Sequence, residues 1–241
     1  MLKNQITNSE RLVSIIIPTF NRVEKLLFAV DSVLNQTYSN WELIIIDNLS
    51  NDATLVKLSK IKSKKIKVFS LNNKGVIGYS RNYGVSQSSG QYIAFLDSDD
   101  TWKKNKLTDS LNHLNKHNAC IIYHNCFLHY SKKTTNTKCR HLKKDSYSDL
   151  VINGNTLITS SVVMRRDAFI KVGGFSELFS IVGWEDYHLW IRLAKAKYKF
   201  ILLSSIHGSI TKDDDNFDNS NRVLHNLSNI KSFFLNELNF E

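Results

Sequence analysis

The sequence predicts an α/β fold with a mostly parallel central sheet flanked by helices, and three observations carry that expectation. Short β-branched apolar runs recur at Val13–Ile17, Leu43–Ile46, Ile66–Phe69 and Tyr92–Leu96. Segments of helical period lie between them, so strand and helix alternate. Polar clusters then stand directly after three of the runs: Pro18-Thr19-Phe20-Asn21, Asp47-Asn48 and Asp97-Ser98-Asp99-Asp100. Strand–helix–strand units cross over right-handedly, and sheets built from them bind ligands beyond the carboxyl ends of their strands. The three clusters are thus expected on one rim.

Taken in order, Val13–Ile17 ends at Pro18 and reads as a strand buried on both faces. The next segment places Leu27, Val30 and Leu34 on one helical face with Leu26 and Val33 beside it. Leu43–Ile46 repeats the buried-strand signature, and Asp52 can cap a second helix before the third strand at Ile66–Phe69. Gly75 and Gly78 loosen the following loop, a helix near Tyr79–Ser88 comes next, and Tyr92–Leu96 stops at the acids.

The second half is less regular. Strand candidates are Ala119–Tyr123, Cys126–Tyr130, Ser160–Met164 and Lys199–Leu203. Residues 131–144 are basic and aperiodic and read as a mobile loop. A short helix ends at Gly173-Gly174, and residues 185–196 form an amphipathic helix. The tail has helical spacing in Val223, Leu224, Leu227, Ile230 and Phe234, which suits docking onto the domain or attachment to a membrane. No repeat or clean linker divides the chain, so a single domain over 1–241 is expected.

Composition narrows the function classes. The 241 residues are 42% apolar with nine glycines and one proline, which excludes collagen-like, low-complexity and disordered chains. No run approaches the roughly 20 apolar residues of a membrane span, and the polar first ten residues lack the apolar core of a secretory signal. Cys120, Cys126 and Cys139 form no close pair, so neither a disulfide framework nor a zinc knuckle is expected. These features point to the cytoplasm. The net charge of +10 favours anionic partners: a phosphate-bearing substrate, an acidic membrane surface or nucleic acid. Aromatic residues are not interleaved with the lysine clusters at 57–67 and 132–144, which argues against nucleic acid.

The sharpest chemical feature is Asp97-Ser98-Asp99-Asp100. Three carboxylates within four residues repel one another unless something positive sits among them, and a hard divalent cation shared with phosphate oxygens would serve. Acids offsetting a helix dipole ahead of Lys103 are the other reading. Asp213-Asp214-Asp215 has no strand before it and reads as a solvated loop.

Five segments, in order, resemble the family-2 glycosyltransferases of the GT-A fold. They are Val13–Arg22 (VSIIIPTFNR), Leu34–Asp52 (LNQTYSNWELIIIDNLSND), Asn72–Tyr83 (NNKGVIGYSRNY), Gly90–Trp102 (GQYIAFLDSDDTW) and Gly183–Leu193 (GWEDYHLWIRL). The resemblance implies inverting transfer of a sugar from a nucleotide sugar, a UDP-hexose or UDP-N-acetylhexosamine, to an acceptor hydroxyl. The acceptor would be a glycan or lipid-linked glycan of a bacterial surface polysaccharide, made at the inner face of an anionic membrane. It divides the chain into a nucleotide-sugar-binding half over about 11–118, an acceptor-side half over about 119–211 and a helical tail over about 217–241.

Residue roles follow from the same resemblance. Pro18, Thr19 and Asn21 would shape the first loop around the base, with Gly75 in the loop opposite. Asp47 would accept the uracil imide N–H; the usual second aspartate is Asn48 here, and Leu49 stands where a glycine is often found. Arg81 would approach the nucleotide, or else pair with a rim aspartate. Asp99 would hold Mn2+ or Mg2+, Asp97 and Ser98 would meet ribose or metal-bound water, and Asp100 would orient the loop. His207 would complete the metal site. Asp186 would be the base, sharing an inward helix face with Trp190 and Leu193, while Glu185 points elsewhere and anchors the loop beside Trp184. A nucleotide-sugar-binding protein of the same fold without turnover is the alternative.

Overall fold

The computed structural model describes residues 11–211, 227–232 and 234–235. The first hundred residues run β1 (Val13–Thr19), α1 (Val23–Leu34), β2 (Trp41–Asp47), α2 (Thr54–Leu58), β3 (Ile66–Ser70), α3 (Ile77–Ser86) and β4 (Tyr92–Phe95). All four strands and the three helices stand where the apolar runs and helical periods put them. Next come β5 (Thr101–Trp102), α4 (Lys106–Lys116), β6 (Ile121–His129), β7 (Thr134–Asn136), α5 (Ser146–Asn153) and a 3-10 turn at Thr159–Ser161. The chain continues with β8 (Val163–Arg165), α6 (Arg166–Lys171), a 3-10 turn at Phe179–Ile181, α7 (Glu185–Lys195) and β9 (Phe200–Thr211).

Among the described residues the strands form one sheet in the order β3-β2-β1-β4-β8-β6-β9-β5, with β7 beside β6. The first half of the sheet is parallel, as expected: β1 pairs with β2 and β4, and β2 with β3. The second half is not. β8 runs antiparallel to both β4 and β6, and β5 antiparallel to β9, so the whole sheet is mixed.

Alternation explains why the central strands read as unbroken apolar runs. Ile15, Ile17, Leu43 and Ile45 face one core layer with α1 and α4; Ile16, Ile44 and Ile46 face another with α3, α6 and α7. Both faces are covered, so nearly every position is apolar, and two polar exceptions, Ser14 and Glu42, bond each other at 2.8 Å. On α1 the buried face is Leu26, Ala29, Val30 and Val33, while Leu34 is exposed, a small rotation from the expected stripe.

Two further expectations change, and one of two open alternatives for the tail is seen. The stretch 131–144 is not a free loop: Thr134–Asn136 pairs with β6, Tyr123 OH donates to the Arg140 carbonyl at 2.6 Å, and Arg140 Nη2 donates to Gly154 O at 2.7 Å. Such ties are invisible to periodicity. The last strand runs on to Thr211 past an irregularity opposite Asn125, which places His207 inside a strand. Ile230 and Phe234 are buried in the same core layer as Tyr187 and Leu150, so these two tail residues dock on the domain. Val223, Leu224 and Asp213–Asp215 lie outside the described residues. Among those described, no helix is long and apolar enough to cross a membrane.

Candidate active site

The three polar clusters meet at the carboxyl edge of β1, β2 and β4. Thr19, Asp47 and Ser70 stand in register across β1, β2 and β3. Two adjoining clefts open there. One, of about 250 Å³, is lined by Pro18, Thr19, Phe20, Arg22, Asn48, Asn73, Gly75 and Ser98 among others. The other, of about 410 Å³, shares Pro18, Arg22, Gly75 and Ser98 and adds Asp97, Asp99, Gly183 and Glu185. Two roomier grooves elsewhere, around Arg165–Lys171 and around Lys197–Phe200, include none of these acids.

Beside the first cleft, at the end of β2 and next to the lining residue Asn48, Asp47 is fully buried. One of its oxygens accepts from Ser50 N–H at 3.1 Å and from Ser70 Oγ at 3.3 Å. The other, Oδ1, is buried with no partner, as is Thr19 Oγ1 alongside. A buried carboxylate oxygen left without a donor is costly, so this edge suits a ligand bearing an N–H. Asn48 does what an acid would do at its position: its Oδ1 accepts from Asn73 N–H at 2.8 Å and pins the glycine loop to the strand edge. Leu49 has φ of 56°, which explains why glycine suits this place. Asn21 clamps rather than lines: its backbone N–H donates to Ser50 Oγ at 2.9 Å and its Oδ1 accepts from Asn51 N–H at 2.8 Å.

Arg81 takes the pairing option left open by the sequence. It is buried, with Nη2 on Asp97 Oδ1 and Nη1 on Glu185 Oε1, both at 2.7 Å. Both ends of its fork are engaged, so it joins β4's acidic loop to the start of α7 instead of facing a phosphate. Glu185 is correspondingly more buried than Asp186, against the expected helix face, because this ion pair draws it inward. The expected loop anchor is present: Glu185 Oε2 accepts from Gly183 N–H at 2.9 Å.

Asp97, Asp99 and Asp100 part company. Asp99 Oδ2 meets Arg22 Nη1 at 2.5 Å. Burial and Asp97 raise its pKa, with Arg22 and Lys25 opposing. Asp100 turns inward, where Ser160 Oγ donates to it at 2.5 Å; burial, then Asp97 and Asp99, lift its pKa well above the usual carboxylate range. The same Ser160 hydroxyl accepts from Asp97 N–H at 3.0 Å, so one serine fixes the whole acidic turn. Ser160 is itself tied to Trp102, whose Nε1 donates to its carbonyl at 2.7 Å.

Asp186 lies one residue along. Thr159 Oγ1 donates to its Oδ2 at 2.9 Å and Tyr187 N–H reaches Oδ1 at 2.6 Å. Burial first, then Glu185, push its pKa up to about 6, against the pull of Arg81 and these hydrogen bonds. A carboxylate poised there can take a proton near neutrality. Trp184 precedes it at the helix start and packs edge-on against Tyr187.

The structure does not bring His207 to the acidic turn. Its Nε2 pairs with Ser205 Oγ at 2.7 Å, its Nδ1 is 3.7 Å from Asp109, and its ring meets His124 edge-on. Among the described residues no three His, Cys, Asp or Glu side chains stand together as a metal site. Asp97 and Asp99 do face the second cleft. One or two carboxylate ligands suit Mg2+ or Mn2+, which complete their shell with water and substrate phosphates. The two carboxylates that face this cleft, Asp97 and Asp99, are of the kind that fits such an ion. Sequence reasoning missed Arg22, Thr159 and Ser160. Arg22 carries the one available signal, since it closes the Pro-Thr-Phe-Asn-Arg run.

The sequence matches Glycosyl transferase family 2 over residues 14–173 and the N-terminal domain of galactosyltransferase over 140–213. It is 36% identical over 186 residues to the UDP-Glc:alpha-D-GlcNAc-diphosphoundecaprenol beta-1,3-glucosyltransferase WfgD of Escherichia coli, covering 76% of this chain and 70% of that protein. The putative teichuronic acid biosynthesis glycosyltransferase TuaG of Bacillus subtilis is 34% identical over 193 residues, covering 79% and 75%. An uncharacterized Rickettsia bellii glycosyltransferase is 34% identical over 239 residues, but the chain spans only 32% of its length. S. aureus TarS 1–349 in complex with UDP-GlcNAc shares the fold at a TM-score of 0.73 and 20% identity, over 90% of this chain and 65% of that one. The ordered motifs, the rim that gathers them and these likenesses lead to one conclusion: the chain belongs to the family-2 glycosyltransferases.

Proposed function

We propose that the chain moves a hexose or N-acetylhexosamine from a UDP-sugar, with inversion, to a hydroxyl of a lipid-linked surface-glycan precursor. The observation that carries the donor assignment is the partnerless Asp47 Oδ1, a buried acceptor beside the first cleft. An imide N–H of uracil satisfies it, whereas cytosine offers no proton at that nitrogen. The relative WfgD acts on a diphosphoundecaprenol acceptor with UDP-Glc, and the TarS structure holds UDP-GlcNAc, which supports the same classes here.

The base would lie by Asp47, Thr19 and the 73–75 loop, and the diphosphate would reach across to Asp97 and Asp99. A divalent Mn2+ or Mg2+ held by Asp99 would stabilise the charge that develops on the departing diphosphate. Asp186 accepts the proton of the attacking hydroxyl, which keeps the oxygen nucleophilic as it attacks from the face opposite the leaving group. Thr159 aims this carboxylate, and Ser160 holds the acidic turn at a fixed place relative to it. Work at the cytoplasmic face of an anionic membrane suits both the lipid acceptor and the basic charge.

The test is a panel of nucleotide sugars, with and without Mn2+, read by thermal stabilisation and by sugar transfer to a diphospholipid-linked GlcNAc. Stabilisation by uridine but not guanosine or cytidine nucleotides is expected, and Asp99→Asn removes the metal dependence. Binding without transfer on any acceptor would favour a silent sugar-nucleotide binder; no binding of uridine nucleotides ends the reading.

A further inference from the structure

Arg22 sits where the two clefts join, lining both the nucleoside side and the acidic side. Among the described residues lining either cleft it is the one cation. Arg81, the other arginine at hand, is buried with both ends of its fork occupied. A nucleoside diphosphate running from Asp47 to Asp99 must pass Arg22.

Its backbone is pinned while its side chain is not. Asn21 before it has φ of 47° and donates to Ser50 Oγ; Val23 after it donates to Asp52 Oδ2 at 3.1 Å. The side chain keeps 49% of its surface in water, and its Nη1 rests on Asp99 Oδ2. In the free protein, then, Arg22 supplies the positive charge that Asp99 requires.

We propose that Arg22 serves two partners in turn: it neutralises Asp99 when no divalent cation is bound, and moves to the donor's diphosphate when one is. This rests on the functional reading above. A guanidinium and a divalent cation repel each other, so each weakens the other's hold on one carboxylate oxygen. Entry of the ion releases the guanidinium beside the incoming phosphates, whose oxygens its planar fork matches. Arg22 therefore competes with the metal for Asp99 and cooperates with it on the nucleotide.

The two effects have opposite signs, and this gives the test. Mn2+ alone is titrated into wild type and Arg22→Gln by electron paramagnetic resonance, and UDP at saturating Mn2+ by calorimetry. Arg22→Gln is expected to bind Mn2+ alone about tenfold more tightly, and UDP with Mn2+ about tenfold more weakly, since a charged hydrogen bond to phosphate is lost. Unchanged or weaker Mn2+ binding, or unchanged UDP binding, overturns the proposal. Should Gln prevent folding, Arg22→Lys, which keeps the charge and loses the fork, is expected to weaken UDP several-fold; full UDP affinity there overturns it equally. If wild type binds no uridine nucleotide, the functional reading fails and this one with it. If wild type binds UDP and Arg22→Gln binds both probes identically, Arg22 alone is misassigned.

Discussion

Thr159 Oγ1 donates a hydrogen bond to Asp186 Oδ2 at 2.9 Å, and its neighbour Ser160 holds Asp100 and the backbone of Asp97. One short turn thus fixes both the proposed base and the acids of the donor side. The hydrogen bonds of Asp186 itself go to Thr159 and Tyr187 and not to those acids, so its chemistry is expected to be separable from donor binding.

Asp186→Asn is expected to lower transfer about 10²–10⁴-fold while UDP affinity stays within about twofold, measured by steady-state kinetics and calorimetry. Equal losses in both would place Asp186 in donor binding.

The pH dependence follows from the same group. With a pKa raised to about 6, Asp186 ionises as pH rises through that value, so transfer should fall on the acid side of about pH 6. Thr159→Val removes a bond that favours the charged form, so the acid limb should move to higher pH by about half a unit or more.

Glu185→Gln is expected to cost about 2–4 kcal/mol of stability in denaturant unfolding, because it leaves buried Arg81 with a single counter-charge. The sequence gives Glu185 the part of a loop anchor; the ion pair to Arg81 adds a second structural role.

Leu49→Gly should raise stability by about 0.5–1 kcal/mol. Leu49 is exposed and sits at φ of 56°, so glycine relieves left-handed strain with little loss of burial. A lower denaturant midpoint would count against this account.

Lys106 is fully buried, with Nζ 3.6 Å over the Trp102 ring and 3.4 Å from Val162 O, and burial holds its pKa well below the usual lysine range. Lys106→Met should stabilise the protein by about 1–2 kcal/mol at neutral pH. The folded chain binds fewer protons here than the unfolded one, so wild-type stability rises with pH and the advantage of methionine shrinks toward pH 10. Urea midpoints at pH 7 and 9.5 check both parts.

The first half was legible because its information is local. Each strand carries a short apolar run, each rim cluster follows one directly, and Asp47, Asp97 and Asp99 fall where the alternation puts them. The second half depends on contacts across long stretches of chain. Nothing around Thr159 or Ser160 announces a partner 27 or 60 residues away. The helix face misled for Glu185 alone: apolar periodicity ranks faces by hydrophobicity, and a buried ion pair to Arg81 outweighs it. His207 lies inside the last strand with its Nε2 on Ser205 Oγ, a setting that its motif does not announce.

The Ser160 clasp has a further consequence for how the protein matures. The acidic turn belongs to the first half of the chain, yet the hydroxyl that shapes it arrives only after some sixty more residues have been laid down and folded against it. Closing a span of 60 residues carries a chain-entropy cost, which pairing of the strands in between reduces. A chain without Ser160 would therefore lose the hydroxyl that holds Asp100 and the Asp97 backbone in one arrangement.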